Sequence, residues 1–77
     1  MTVLPILPAH KVKVIKALES AGFKVVSQKE SHIKMKMKTP KKTFIVIIPN
    51  YNEIPVGTLR SLIRQSGLTP QEFLQLL

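Results

Sequence analysis

Residues 32–38 read His-Ile-Lys-Met-Lys-Met-Lys, a strict alternation of apolar and polar side chains. Because successive side chains of a β-strand point to opposite faces, this run has one apolar face and one cationic face as a strand. A helix would scatter the same residues around its circumference. The stretch therefore predicts a strand with an open cationic face. That face carries His32, Lys34, Lys36 and Lys38.

Two further strands are predicted on either side of this one. Residues 23–29 are short, rich in β-branched side chains and preceded by Gly22, and residues 43–48 read Thr-Phe-Ile-Val-Ile-Ile before Pro49. A turn at residues 39–42 makes the connections short, which favours an antiparallel meander. A strand that is apolar on both faces is usually central or covered. We therefore expect a partner protein or a second copy of the chain to pack near residues 43–48 or their sheet.

Helical periodicity occurs on both sides of the three strands. Residues 9–21 have apolar side chains at helical spacing and end at Gly22, and a second helix opens at Pro55 and ends at Gly67. Residues 69–72, Thr-Pro-Gln-Glu, match a capping box with proline at the first helical position. This pattern predicts one more short helix at the C-terminal end.

The element order predicts an α+β fold, α-β-β-β-α, with a three-stranded antiparallel sheet, two helices on one face and a short C-terminal helix. Residues 1–8 are expected to be an extended lead-in, because Pro5 and Pro8 disfavour a helix there, and residues 50–54 are expected to form a loop. The 77 residues are expected to form a single domain, since this length leaves no room for a second one.

The charge balance points to a polyanionic partner. The chain has 12 Lys and Arg against 4 Asp and Glu, a net charge of +8, and 44% hydrophobic residues, which is too apolar for a disordered basic tail. Cysteine is absent, so disulfides, thiolate nucleophiles and cysteine zinc sites are excluded. No uncharged stretch is long enough for a bilayer and no signal peptide is evident. We expect a cytoplasmic protein that binds nucleic acid rather than a membrane.

His32 is the candidate catalytic residue. Glycine-rich phosphate loops and metal-binding motifs are absent, and four acidic residues are too few to favour a two-metal nuclease site, so no cofactor or metal is expected. RNA can be cleaved when its 2′-hydroxyl attacks the adjacent phosphate. This reaction needs a base, an acid and cations that stabilise the charge on the phosphate, and an imidazole beside lysines can supply these groups. Alternatively, His32 is an ordinary surface histidine and the lysines are a solubilising face.

Other conspicuous side chains have simpler interpretations. His10 is expected to be a solvated histidine at the start of the first helix, and Met35 and Met37 are expected to fill the core. Tyr51 is expected to pack within its loop, with stacking on a base as the alternative.

Four segments resemble, in the right order, the HicA family of toxin–antitoxin toxins, small ribonucleases also called YcfA-like proteins. Residues 13–23, Lys-Val-Ile-Lys-Ala-Leu-Glu-Ser-Ala-Gly-Phe, are similar to the family's first helix and its exit. Residues 28–32, Gln-Lys-Glu-Ser-His, resemble the signature that carries its catalytic histidine. Residues 56–68 resemble its second helix and residues 72–74 its ending. Together these segments cover most of the chain.

The resemblance implies a fold of the double-stranded-RNA-binding-domain type and a metal-independent endoribonuclease that cleaves messenger RNA, with His32 as catalytic residue. It also implies a HicB-type antitoxin that covers the site. The residues expected to contact RNA are Lys29, Ser31, Lys34, Lys36 and Lys38. The alternatives are a non-catalytic RNA-binding module and a decayed toxin retained for partner binding.

One departure from the family's signature concerns Glu30, which stands where glycine is usual before Ser-His. Glycine there would permit backbone angles closed to other residues and let a phosphate come close. The Glu30 carboxylate would either orient and charge the imidazole or repel the substrate. A second histidine often found after the signature is replaced by Ile33.

Overall fold

A computed structural model of the chain describes residues 7–77. It confirms the α-β-β-β-α order and the short C-terminal helix. Of the expected lead-in, residues 1–6 lie outside the described part, and Leu7 and Pro8 belong to no helix or strand. In chain order the elements are β1 Ala9–His10, α1 Lys11–Ala21, β2 Lys24–Gln28, β3 His32–Lys38, β4 Thr43–Pro49, β5 Glu53–Ile54, α2 Val56–Ser66 and α3 Pro70–Leu76.

The strands β2, β3 and β4 form an antiparallel sheet with β3 in the centre, as the short connections predict. The pairing of β3 with β4 is unbroken and starts with His32 opposite Pro49. The pairing of β2 with β3 shifts register between Val25 and Ser27, which marks a β-bulge near the middle of β2. The alternating run therefore occupies the middle of the sheet.

The core lies between the helices and one face of the sheet. Ile33 and Met35 from β3 are buried there beside Val46 and Ile48 from β4, and Met37 is partly buried against the same cluster. Removing this apolar surface from water is the main favourable contribution to folding. The helices contribute Val14, Ala17, Leu18, Leu59, Leu62, Ile63 and Phe73.

Two glycines end the longer helices, as predicted. Gly22 and Gly67 have φ angles of 112° and 77°, in the left-handed region that favours glycine. A Cβ atom at Gly67 would lie 2.5 Å from the ring of Phe44 in β4. The exit of α2 therefore needs glycine both for its backbone angle and for its close approach to the sheet.

The predicted capping box starts α3. The Thr69 hydroxyl accepts a hydrogen bond from the Glu72 N–H at 3.1 Å, and the Glu72 carboxylate accepts one from the Thr69 N–H at 3.0 Å. The backbone bond from Thr69, and then its side chain, lower the pKa of Glu72 below its ordinary value. This contribution to stability is present above the ordinary pKa of the carboxyl and is lost as the pH falls through the lowered pKa.

Two expectations about local structure are wrong because of one long-range pairing. The first helix begins at Lys11, since Ala9–His10 pair as β1 with β5 at Glu53–Ile54. The expected loop at residues 50–54 therefore ends in a short strand.

His10 has a defined role as the N-cap of α1, because its Nδ1 accepts a hydrogen bond from the Val12 N–H at 3.2 Å.

Among the strands of residues 7–77, β4 lies at the edge of the sheet, so its two apolar faces are not explained by a central position. Its outward-facing Ile45 and Ile47 are 42% and 39% exposed, so residues 7–77 leave this apolar surface open. The free edge is partly protected: the Gln65 side chain of α2 accepts a hydrogen bond from the Ile47 N–H at 3.3 Å, and Pro49 has no N–H to offer.

None of the helices described between residues 7 and 77 is long and apolar enough to cross a bilayer.

Candidate active site

His32 lies at the start of β3, on the face of the sheet opposite the core. Its neighbour Ile33 is buried, whereas His32 itself is exposed. The alternation continues along the strand, with Lys34 and Lys38 exposed and Lys36 half-buried on the same face as His32. The structure therefore brings the imidazole and the three ammonium groups to one open surface.

The imidazole of His32 contacts the preceding serine. Ser31 Oγ lies 3.0 Å from His32 Nδ1. When the hydroxyl donates to Nδ1, Nε2 carries the ring proton; when Nδ1–H donates to Oγ, Nε2 presents a lone pair. Among the hydrogen bonds of residues 7–77 none involves Nε2, so this nitrogen is the one available to take a proton from a ligand or give one up.

Lys24 joins the cationic face, although sequence reasoning did not single it out. It is exposed on β2 and lies directly opposite Lys36 of β3. Like charges directly opposite each other in a sheet repel, and an anion such as a phosphate placed over the pair relieves that repulsion. The signal that could have found Lys24 is the register between β2 and β3, which the bulge in β2 obscures.

The third strand adds apolar side chains to the same face. Ile45 lies opposite Lys36, and Ile47 lies opposite Lys34. Aromatic rings, the usual platforms for nucleic-acid bases, are absent from these pairs. The open face therefore combines ammonium groups suited to phosphates with an exposed aliphatic strip at its edge.

The turn at residues 29–31 joins β2 to β3 and carries two of the predicted RNA-contacting residues. Lys29 and Ser31 are exposed, and the Lys29 N–H donates to the His32 carbonyl oxygen at 2.8 Å. Glu30 is exposed as well, and none of the non-glycine residues from 7 to 77 has a positive φ. Glu30 therefore has backbone angles that any residue can adopt, and this turn does not require a glycine.

Asn50, which sequence reasoning treated as part of a loop, contacts this turn. Its Nδ2 donates to the carbonyl oxygens of Glu30 at 3.1 Å and Lys29 at 3.4 Å, and its backbone N–H donates to that of Ser31 at 3.0 Å. Tyr51 follows with 58% of its surface exposed, so the expectation that it packs within its loop is wrong.

The two arginines of the chain lie apart from this face. Arg60 and Arg64 of α2 line a groove of about 560 Å³ beside the start of α3, on the helical side of the molecule. Within the described part of the chain, no group of three or more His, Asp or Glu side chains is placed to hold a metal ion.

Comparison with known proteins gives one match. The family described as "HicA toxin of bacterial toxin-antitoxin" matches residues 13–68, which is more than half of the 77 residues and includes every residue of the face described above. No curated protein matches the chain.

Proposed function

Because this chain belongs to the HicA family of toxins from bacterial toxin–antitoxin systems, we propose that it is an endoribonuclease that cleaves messenger RNA with His32 as its catalytic residue. The observation that carries the proposal is the position of His32. Its imidazole is exposed on the same face as three lysines and has Nε2 available for proton transfer.

The proposed reaction is attack of an RNA 2′-hydroxyl on its own phosphate. Nε2 of His32 takes the hydroxyl proton, the 2′-oxygen bonds to phosphorus, and the bond from phosphorus to the 5′-oxygen breaks as that oxygen takes up a proton. Lys34, Lys36 and Lys38, together with Lys29 and Ser31 of the adjoining turn, bind the phosphates and stabilise the developing charge.

The reaction is proposed to be independent of metal ions. The four acidic residues, Glu19, Glu30, Glu53 and Glu72, lie on α1, in the turn before β3, on β5 and on α3. Metal-dependent phosphoryl transfer relies on carboxylates gathered around the ions, and these four belong to separate elements.

The antitoxin is proposed to be a HicB-type protein that binds over the open face. The exposed Ile45 and Ile47 give a partner apolar surface to bury, and the lysines beside them favour an acidic partner. Such a partner covers both His32 and the RNA-binding lysines, and inhibition then follows from simple occlusion.

The test is cleavage of RNA by the purified protein in excess EDTA, compared with His32→Ala. We expect the wild type to cleave and His32→Ala to lose at least about a hundredfold in rate, within the usual range for removing an acid–base group. His10→Asn is the matched control, since it removes the other histidine and keeps an N-cap acceptor; it should cleave within about twofold of wild type.

The outcomes separate the alternatives. Undiminished cleavage by His32→Ala removes His32 from the mechanism, and cleavage that EDTA abolishes contradicts metal independence. Salt-sensitive RNA binding without any product favours the second candidate, a non-catalytic RNA-binding module, which the same cationic face would serve.

A further inference from the structure

Asn50 connects the loop after β4 to the turn that carries Ser31 and His32. We propose that Asn50, held by Lys11, is a positioning residue for the His32 imidazole; the catalytic part of this inference rests on the proposed ribonuclease function. With one side-chain amide and one backbone N–H, Asn50 donates to the carbonyl oxygens of all three turn residues, 29–31.

Lys11 determines which way the Asn50 amide faces. Its ammonium lies 2.6 Å from Asn50 Oδ1, and an ammonium group can only donate hydrogen bonds. The amide oxygen must therefore face Lys11, which leaves the NH2 group facing the turn. Lys11 and Asn50 are both half-buried, so water competes less with the bond between them than at an open surface.

The Lys11 backbone strengthens the same connection. Its N–H donates to the Asn52 carbonyl oxygen at 3.0 Å, so the first residue of α1 contacts the loop after β4 twice. The start of α1, this loop and the turn before β3 are thereby joined, although they are distant in sequence. Lys29, Glu30 and Ser31 are all exposed. Hydrogen bonds, rather than packing in the core, hold this turn.

The position of the turn matters for the imidazole. Ser31 Oγ bonds to His32 Nδ1, and the Ser31 carbonyl accepts from the Asn50 N–H. A shift of the turn therefore moves the hydroxyl that orients the ring. Displacements of about 1 Å in a reacting group can cost about a hundredfold in rate.

Asparagine has the one side chain of this size that can accept from Lys11 and donate to the turn at the same time. Asn50→Asp keeps the acceptor toward Lys11 and replaces the donor with a second acceptor, which faces two carbonyl oxygens. This isosteric change should leave the contact to α1 intact while releasing the turn. Asn52→Asp is the matched control, because it adds the same charge to an exposed residue of the same loop.

The experiment compares Asn50→Asp and Asn52→Asp with the wild-type chain in two measurements. Steady-state cleavage of RNA should show kcat lower by about tenfold to a hundredfold for Asn50→Asp alone. KM should change much less than kcat, because Lys34, Lys36 and Lys38 bind from β3, outside the released turn. Hydrogen exchange followed by NMR should show faster exchange of the Lys29 amide, which is bonded to the His32 carbonyl, again for Asn50→Asp alone.

The proposal requires both effects. A loss of kcat without faster exchange, faster exchange without a loss of kcat, or equal behaviour of the two variants would each overturn it. If the wild-type chain cleaves no RNA, the proposed function fails by itself. The exchange measurement then still decides whether Asn50 holds the turn.

Discussion

At position 30 the chain has a glutamate in the turn that leads to His32, and its backbone accepts that residue without a left-handed conformation. The conformational reason for a glycine therefore does not apply to this turn. What remains is the carboxylate itself, an exposed negative charge two residues before the imidazole on a surface otherwise rich in lysine. Its effect on RNA is expected to be electrostatic repulsion.

Replacing Glu30 with Gln should therefore tighten RNA binding by about two- to threefold at low salt, since one exposed charge is worth a few tenths of a kcal/mol to about 1 kcal/mol. The gain should disappear at high salt, where exposed charges are screened. Fluorescence anisotropy with labelled RNA, in a His32→Ala background that prevents cleavage, measures it. Glu19→Gln on α1 is the control, and an equal gain there would contradict a local effect.

At the scale of elements, β4 differs most from an ordinary solvent-facing strand. One face packs in the core through Val46 and Ile48, and the other presents Ile45 and Ile47 at the edge of the sheet. Exposed edge strands invite pairing with another chain unless they are protected. Here Gln65 and Pro49 protect the backbone, whereas the isoleucine side chains stay open. The side chains, more than the edge itself, are therefore suited to a partner.

Replacing both Ile45 and Ile47 with Thr should weaken antitoxin binding by about tenfold to thirtyfold, because each exposed isoleucine offers about 1 kcal/mol of burial to a partner. Threonine keeps the β-branched shape, so the strand should persist. Titration calorimetry with the proposed HicB-type antitoxin measures the change. The control is Val12→Thr on α1, which is 45% exposed in the free chain. Unchanged affinity of the double variant would place the antitoxin on another surface.

Taken as a whole, the molecule is cationic on more than one side. Lysines of α1 and the arginines of α2 lie on the helical layer, and four further lysines lie on the open face of the sheet. Net charge of +8 attracts RNA from a distance, whereas close contacts with phosphates determine the salt dependence of binding. The four lysines of the face are Lys24, Lys34, Lys36 and Lys38.

If each of these four lysines contacts one phosphate of a single strand, the logarithm of the RNA association constant should fall against the logarithm of salt concentration with a slope of about −3. Lys36→Met should make the slope shallower by about 0.7. Lys13→Met on α1 should leave it unchanged, and anisotropy titrations in the His32→Ala background compare the two. Equal slopes for both variants would show that RNA does not lie along the sheet.

The features that sequence alone predicted all depend on residues close together in the chain. The alternation of residues 32–38, the glycines after α1 and α2 and the capping box at Thr69 each depend on side chains within a few residues of one another. Local backbone preferences and the periodicity of a single element determine such features, so they can be predicted without knowing the rest of the fold. The exposed position of His32 followed from the same alternation.

What the tertiary structure decided depends on residues far apart in the chain. Four such features leave no local pattern in the sequence. They are the pairing of β1 with β5, the edge position of β4, the position of Lys24 opposite Lys36, and the contact of Asn50 with a turn 20 residues earlier. Each is stabilised by contacts between distant residues that form only when the chain folds. Sequence could therefore predict that His32 and the lysines of β3 share one face, but only the packed molecule shows which residues contact the turn before them.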